Sequence, residues 1–230
     1  MATGRARKRR IALPRALADL PFARHLVAAE SEPVVRGSYD CTSWVDAVWD
    51  DLVAPDVKLL ECALRFVNAS GGSLRGARLS DVWICACRLV GVTLADTSWA
   101  EVEVNSSAFA GLQFHGAELR RVTLTGCKLD SVNFRGTVLV DVDFVDCVIS
   151  DIDLAGSTLE RVRFPGCRLN AVKLAGSRLT KVEFQDAVEL TVPDGIDSLR
   201  GASINYTQLL DLAPAFADAA GVEVRPDRDG

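Results

Sequence analysis

Covalent chemistry has few candidate side chains in this sequence. Seven cysteines and two histidines are present. Cys127, Cys147 and Cys167 recur at equal spacing, and a metal site would need ligands that converge, not a row that points one way. His25 and His115 lie far apart without a companion cysteine motif and read as ordinary surface residues. Nothing near Cys85 marks it as reactive. No nucleophile elbow, glycine-rich phosphate loop or zinc signature occurs. No catalytic residue, metal ligand or cofactor is therefore expected. What remains is charge: Glu61, Asp81, Glu101 and Glu103, with Trp83 among them, suit contact with a partner.

An odd cysteine count in a chain of this size argues against a disulfide framework and for a reducing, cytoplasmic compartment. No run reaches the roughly 18 apolar residues of a membrane span, so no membrane association is expected. Ile11 to Ala29 is broken by Pro14, Arg15, Asp19, Pro21 and Arg24, unlike a signal peptide.

A strict period positions these side chains. Every fifth residue from Leu59 to Phe184 is apolar, without insertion or deletion. A second lane, two residues before each centre, holds small or β-branched residues such as Val122, Cys127, Val132 and Thr137. Two inward positions separated by one outward residue mark a short strand. The next two residues must turn the chain. Glycine is frequent at the second of them, as at Gly116, Gly126 and Gly136, where a positive φ costs it least. An α-helix cannot carry this pattern, because five residues advance it by about 500° and spread the lane around the axis. A flat sheet fails too, since each turn interrupts its alternation.

Segments such as Val132-Asn133-Phe134-Arg135-Gly136 and Ile152-Asp153-Leu154-Ala155-Gly156 resemble the pentapeptide-repeat family. The resemblance covers residues 57–186 and implies an all-β, right-handed quadrilateral parallel β-helix with four pentapeptides per coil. Residues twenty apart then stack about 4.8 Å from one another. The lanes agree: Val82, Val102, Val122, Val142, Val162 and Val182 fall on one wall, Cys87, Ser107, Cys127, Cys147 and Cys167 on another. Phe144, Phe164 and Phe184 form one ladder, Phe114 and Phe134 a second. About 6.5 coils make a rod of roughly 31 Å.

Both ends of such a rod expose sheet edges that need cover. Residues 1–10 read as a basic tail, solvated or bound to a polyanion, and residues 11–56 as an N-terminal cap with irregular first repeats. Tyr39, Trp44 and Trp49 keep a weaker phase there. Residues 187–230 read as a final partial coil, a helical cap and a tail, with the phase failing at Glu189 and Asp194. Gln208 to Ala220 is a helical stretch bent by Pro214. Its Leu209, Leu210, Leu212 and Phe216 are expected either to cover the last coil or to pair with a second copy, as in family members that dimerise through such an extension.

Outward charges form columns at the period of twenty: Glu61, Asp81, Glu101, Arg121, Asp141, Arg161 and Lys181 in one, Trp83, Glu103, Thr123, Asp143, Arg163 and Glu183 in its neighbour. Alternating signs in the second half read as salt-bridge ladders. In the first half Glu61, Asp81, Glu101 and Glu103 are like charges without partners in their columns, beside an outward Trp83, and form the candidate partner-binding patch. Val138, Val140, Val145 and Val148 are expected to make an apolar contact patch around one corner.

The expected function is a non-catalytic scaffold that binds a protein partner. The resemblance offers an alternative: some family members imitate duplex DNA and modulate DNA gyrase, including those associated with fluoroquinolone resistance. Duplex DNA carries about one negative charge per 1.7 Å, or about 18 over this rod. Residues 57–186 instead balance at 15 basic against 15 acidic.

Overall fold

The computed structural model describes residues 14–225. The chain winds into a parallel β-solenoid with four walls. The first wall is an eight-stranded sheet running from Ser38–Asp40 to Arg178–Thr180. The second is seven-stranded, from Val27–Ala28 through Thr42–Val45 to Asp143–Val145, and the third eight-stranded, from Val48–Asp50 to Glu189–Leu190. Single bridges such as Gln113 to Asn133 and Asn133 to Asp153 stitch the fourth. Within the repeats each residue pairs with the one twenty positions on, as Leu59 with Leu79 and Leu124 with Phe144.

Regular coils begin at Ser38, so the rod is longer than the expected 6.5 coils; eight levels at about 4.8 Å give roughly 38 Å. The interior is closed by the two apolar lanes. Phe114 stacks on Phe134 at 4.8 Å, and Phe144, Phe164 and Phe184 stack at 5.0 Å intervals. In the first coils the same space is filled by Tyr39, Trp44 and Trp49 in edge-to-face contact.

The corners demand positive φ, and glycine is not the main supplier. Glu61, Asp81, Glu101, Arg121, Asp141, Arg161 and Lys181 all turn the chain at φ between 51 and 57°. This charged column is thus the corner between the first and second walls, where an L-residue accepts the left-handed region at some cost. Gly195 shows where only glycine fits: at φ 80° a Cβ there would collide with the backbone nitrogen of Ala175 in the coil below.

Both ends are closed by elements that supply missing hydrogen bonds. At the N-terminus, Val27–Ala28 pairs with Thr42–Ser43, and Trp44 Nε1 donates to the Ser31 carbonyl at 2.9 Å. At the other end the loss of phase at Glu189 is a slip of one residue, since Leu169 pairs with Leu190 and Leu190 points inward. The helix is Tyr206–Ala219, with Pro214 inside it. Asn205 caps it, its Oδ1 accepting from the Gln208 amide at 2.9 Å while Gln208 Oε1 accepts from the Asn205 amide at 3.0 Å. Gln208 Nε2 then donates to the carbonyls of Phe184 (2.9 Å) and Ala187 (3.1 Å), tying the helix to the last coil.

Of the four apolar residues expected to act together on this helix, only two cover the coil. Leu212 is buried and Phe216 packs against the core, whereas Leu209 and Leu210 face solvent together with Tyr206. The helical period puts residue 210 about 160° from 212, while 209 lies at the edge of the face that carries 208, 212 and 216. The basic stretch Arg5 to Arg10 lies outside the described residues.

Candidate functional site

The acidic residues picked out by the sequence converge, but their setting differs from the expected open patch. Glu61, Asp81 and Glu101 stack at the corner; Trp83 and Glu103 stand on the outer face of the second wall. Trp83 is not exposed. Residues 15–26, with short 3-10 turns at Leu17–Asp19 and Ala23–His25, fold back along this wall, and Leu20 and Phe22 bury Trp83 against Ala63. An outward indole is too large an apolar surface to leave in water, and its N–H needs an acceptor once covered. Trp83 Nε1 accordingly donates to the backbone carbonyl of Arg15 at 3.1 Å.

Nor are all the acids unpartnered. The Arg15 guanidinium donates to Glu103 Oε1, with Nε at 2.6 Å, and Arg121 pairs with Glu101 one coil up. Between the returning segment and the wall lies a cavity of about 90 Å³ lined by Arg15, Leu20, Phe22, Trp83 and the carboxylates of Glu61, Asp81, Glu101 and Glu103. The second oxygen of Glu103 is buried there without a hydrogen-bond partner. Burial pushes the Asp81 carboxyl above its ordinary range, and the neighbouring charges of Glu101 and Glu61 push it further.

The residues of this site missed by sequence reasoning are Arg15, Leu20 and Phe22. Their signal was the unexplained outward tryptophan, which required a cover. A second missed grouping is Asp40, Cys41 and Glu61, whose ligand atoms lie within 4.8 Å of one another. There Cys41 Sγ contacts Glu61 Oε2 at 3.5 Å. Desolvation, then hydrogen bonding to Glu61 and Asp40, pushes the thiol up to about 11.

Further along the same columns the charges pair directly. Arg161 forms a fork on Asp141 at 2.8 Å, and Arg163 one on Asp143 at 2.7 Å. Asp143 is 2% exposed, so this pair is part of the wall and not an external ladder. The four valines do not make one corner patch. Val138 and Val140 belong to a first-wall strand, Val145 ends a second-wall strand and Val148 begins a third-wall strand; only Val148 is clearly exposed. The period of five places outward positions on successive walls, which separates residues close in sequence.

The cysteines of the inner lane are buried and unpaired, and so is Cys62. Cys147 Sγ contacts the carbonyls of Val145 (3.3 Å) and Leu124 (3.4 Å). Burial pushes the Cys87 thiol up to about 11, away from nucleophilic character. His25 is exposed and accepts from Arg24 Nε at 3.0 Å, while His115 is half-buried on a separate wall.

A four-walled parallel solenoid with a five-residue inward period defines a class of repeat protein, and the comparisons agree. A family model described as pentapeptide repeat region matches residues 117–190, and one for pentapeptide repeats in eight copies matches residues 87–126. Together the two models place pentapeptide repeats over residues 87–190. No curated protein matches its sequence. Among solved structures it is similar to a trypsin-treated variant of QnrB1, a plasmid-mediated fluoroquinolone resistance protein. The identity is 12%, with 87% of this chain and 99% of that chain covered and a TM-score of 0.59. HetL of Nostoc sp. strain PCC 7120, a pentapeptide repeat protein involved in heterocyst differentiation regulation, is 18% identical. That match covers 74% of this chain and 90% of HetL, with a TM-score of 0.46.

Proposed function

We propose that the chain is a non-catalytic scaffold that binds a protein partner through the acidic corner around Glu61, Asp81, Glu101 and Glu103. The carrying observation is the excess of carboxylates on that corner: Glu61 and Asp81 have no ion pair among the described residues, whereas acids farther along are matched. A rigid wall holds these charges in place, so a complementary basic surface would find them already ordered. The test is capture of binding proteins by the wild type and by a Glu61→Lys/Glu101→Lys variant. Partners retained by the first and lost by the second, with unchanged melting, support the corner; equal retention by both discards it.

A second reading is modulation of DNA gyrase by a DNA-like surface. Its support is the shared fold with QnrB1, a fluoroquinolone resistance protein. Weighing against it, cross-coil pairs such as Asp141–Arg161 neutralise the second half of the rod. A supercoiling assay with purified gyrase, with and without a quinolone, separates the readings. Dose-dependent inhibition or protection that is lost in Glu61→Lys/Glu101→Lys would favour gyrase, and no effect at high excess would remove it. The exposed Tyr206, Leu209 and Leu210 suit pairing with a second copy through the C-terminal helix; sedimentation of Leu210→Glu beside the wild type tests this. Seven free thiols suit a reducing compartment such as the cytoplasm.

A further inference from the structure

The outer face of the first wall carries charges that the molecule itself leaves unmatched. Lys58 pairs in register with Arg78, so two cations stand on one edge of the wall in adjacent coils. Both are exposed, and neither has an ion pair among the described residues; the nearby acids Asp56 and Asp96 are taken by Arg36 and Arg75. On the same two levels, past the strands Lys58–Leu60 and Arg78–Ser80, the other edge ends in Glu61 and Asp81, again without an ion pair. Like charges stacked about 4.8 Å apart cost stability at both edges. Between the edges the face is low: Leu60 is 46% exposed, and Ser80, Ser98 and Ala100 are short. Two coils beyond Arg78 the signs are exchanged, with Glu118 on the first edge and Arg120 on the second. One coil further, Val138 and Val140 take the two positions.

We propose that the first wall is the contact face for a second copy of this chain, the two rods lying side by side and parallel about a two-fold axis that runs along the wall. Such an axis exchanges the two edges of the wall and keeps the level. Lys58 then faces Glu61 of the second copy and Arg78 faces its Asp81, and each pair occurs twice, so the unmatched charges of one copy satisfy those of the other. The levels above obey the same operation: Glu118 faces Arg120 of the second copy, and Val138 faces its Val140. The match ends at the last level, where Arg178 meets Lys181. An antiparallel pairing sets each edge against itself and loses the match with Glu61 and Asp81. Seven levels of wall are about 34 Å long and about 10 Å wide, on the order of 300–400 Å² on each copy, which fits a weak, exchanging dimer. The inference needs no foreign partner; a basic protein docked at Glu61 and Asp81 would compete with the second copy.

Sedimentation velocity of the full chain from about 10 to about 500 µM tests the face. The wild type is expected to pass from monomer toward dimer across that range, and to return toward monomer in about 0.5 M NaCl. Lys58→Glu/Arg78→Glu and Glu61→Lys/Asp81→Lys are each expected to weaken the dimer at least about tenfold, because each sets like charges across the axis. Lysine is accepted at this corner, as Lys181 shows at φ 54°. An equimolar mixture of the two variants is expected to restore a dimer of one copy of each, which also shows that both are folded. A wild type that stays monomeric up to about 500 µM, or a dimer that neither variant weakens, overturns the proposal. Loss of such an insensitive dimer in Leu210→Glu would assign it to the C-terminal helix instead. Two monomeric variants whose mixture stays monomeric overturn the two-fold pairing. Partner capture lost in Glu61→Lys/Glu101→Lys while the wild type is monomeric would leave the scaffold reading standing and remove only the self-contact.

Discussion

One corner of this solenoid is built twice, with different outcomes. In the second half Arg161 covers Asp141 and Arg163 covers Asp143, each by a fork of hydrogen bonds from the next coil. In the first half the equivalent levels stack Glu61, Asp81 and Glu101, of which only Glu101 meets a cation of the repeat, Arg121, while Glu103 in the neighbouring column draws Arg15 from outside it. Backbone and φ are the same at both places. The repeat therefore dictates position and leaves charge free to vary. The half that neutralises itself is a closed wall; the half that does not has recruited a separate segment and kept a cavity beneath it.

The largest expected effect breaks the matched half. Asp143→Ala leaves the Arg163 guanidinium, 13% exposed, facing a hole without its fork. Removing one partner of a buried pair costs about 3–5 kcal/mol. The corresponding cut in the first half, Glu101→Ala, opens a pair whose side chains are 54% and 49% exposed and should cost about 0–1 kcal/mol. Chemical denaturation of the two variants measures both. Equal losses would mean that burial does not distinguish the halves.

A smaller effect is expected in the lumen. Cys147→Leu inserts extra carbons into a lane where Cys127 and Cys167 sit directly below and above. It also removes the thiol that faces the Val145 carbonyl. Overpacking of this kind costs about 1–3 kcal/mol. In the first half Ser107 occupies the same lane and donates to the Asn105 carbonyl at 2.9 Å, so Ser107→Cys should be nearly neutral. Thermal melting of both variants checks the pair; an unchanged Cys147→Leu would contradict the tight lane.

How much of this was legible follows from which features repeat. The inward lanes from Leu59 to Phe184 were, because a coil cannot close unless every pentad obeys the same rule. The first two coils were obscured because Asp46, Asp51 and Asp56 turn their corners in place of glycine, aspartate being tolerant of positive φ. The slip at Leu190 was visible only as a failed phase. The acids were legible as a group. Their cover was not, since residues 15–26 have no period and reach Trp83 through three-dimensional proximity alone. Asp143 was read as external because sequence gives the direction of a side chain but not what lies over it.

The smallest expected effect sharpens the comparison by its sign. Asp81 has a raised folded pKa, from desolvation and then from Glu101 and Glu61, so the native state binds its proton more readily than the unfolded chain. A carboxyl of this kind destabilises when charged: stability falls as pH rises from its ordinary value of 3.8 through the raised folded value. Asp81→Asn removes that penalty and should raise stability at pH 7 by roughly 0.2–1 kcal/mol, the scale of one stacked like-charge contact. At pH 3, where Asp81 is largely protonated in both states, the difference should nearly vanish. Asp141→Asn, which loses an arginine fork, should move the other way at pH 7. Melting curves of both variants at the two pH values decide it. A stabilised Asp81→Asn beside a destabilised Asp141→Asn means that one column carries strain at one level and relief three levels on. The same sign for both would mean that the uncompensated half is neutralised by something other than Arg15 and Arg121.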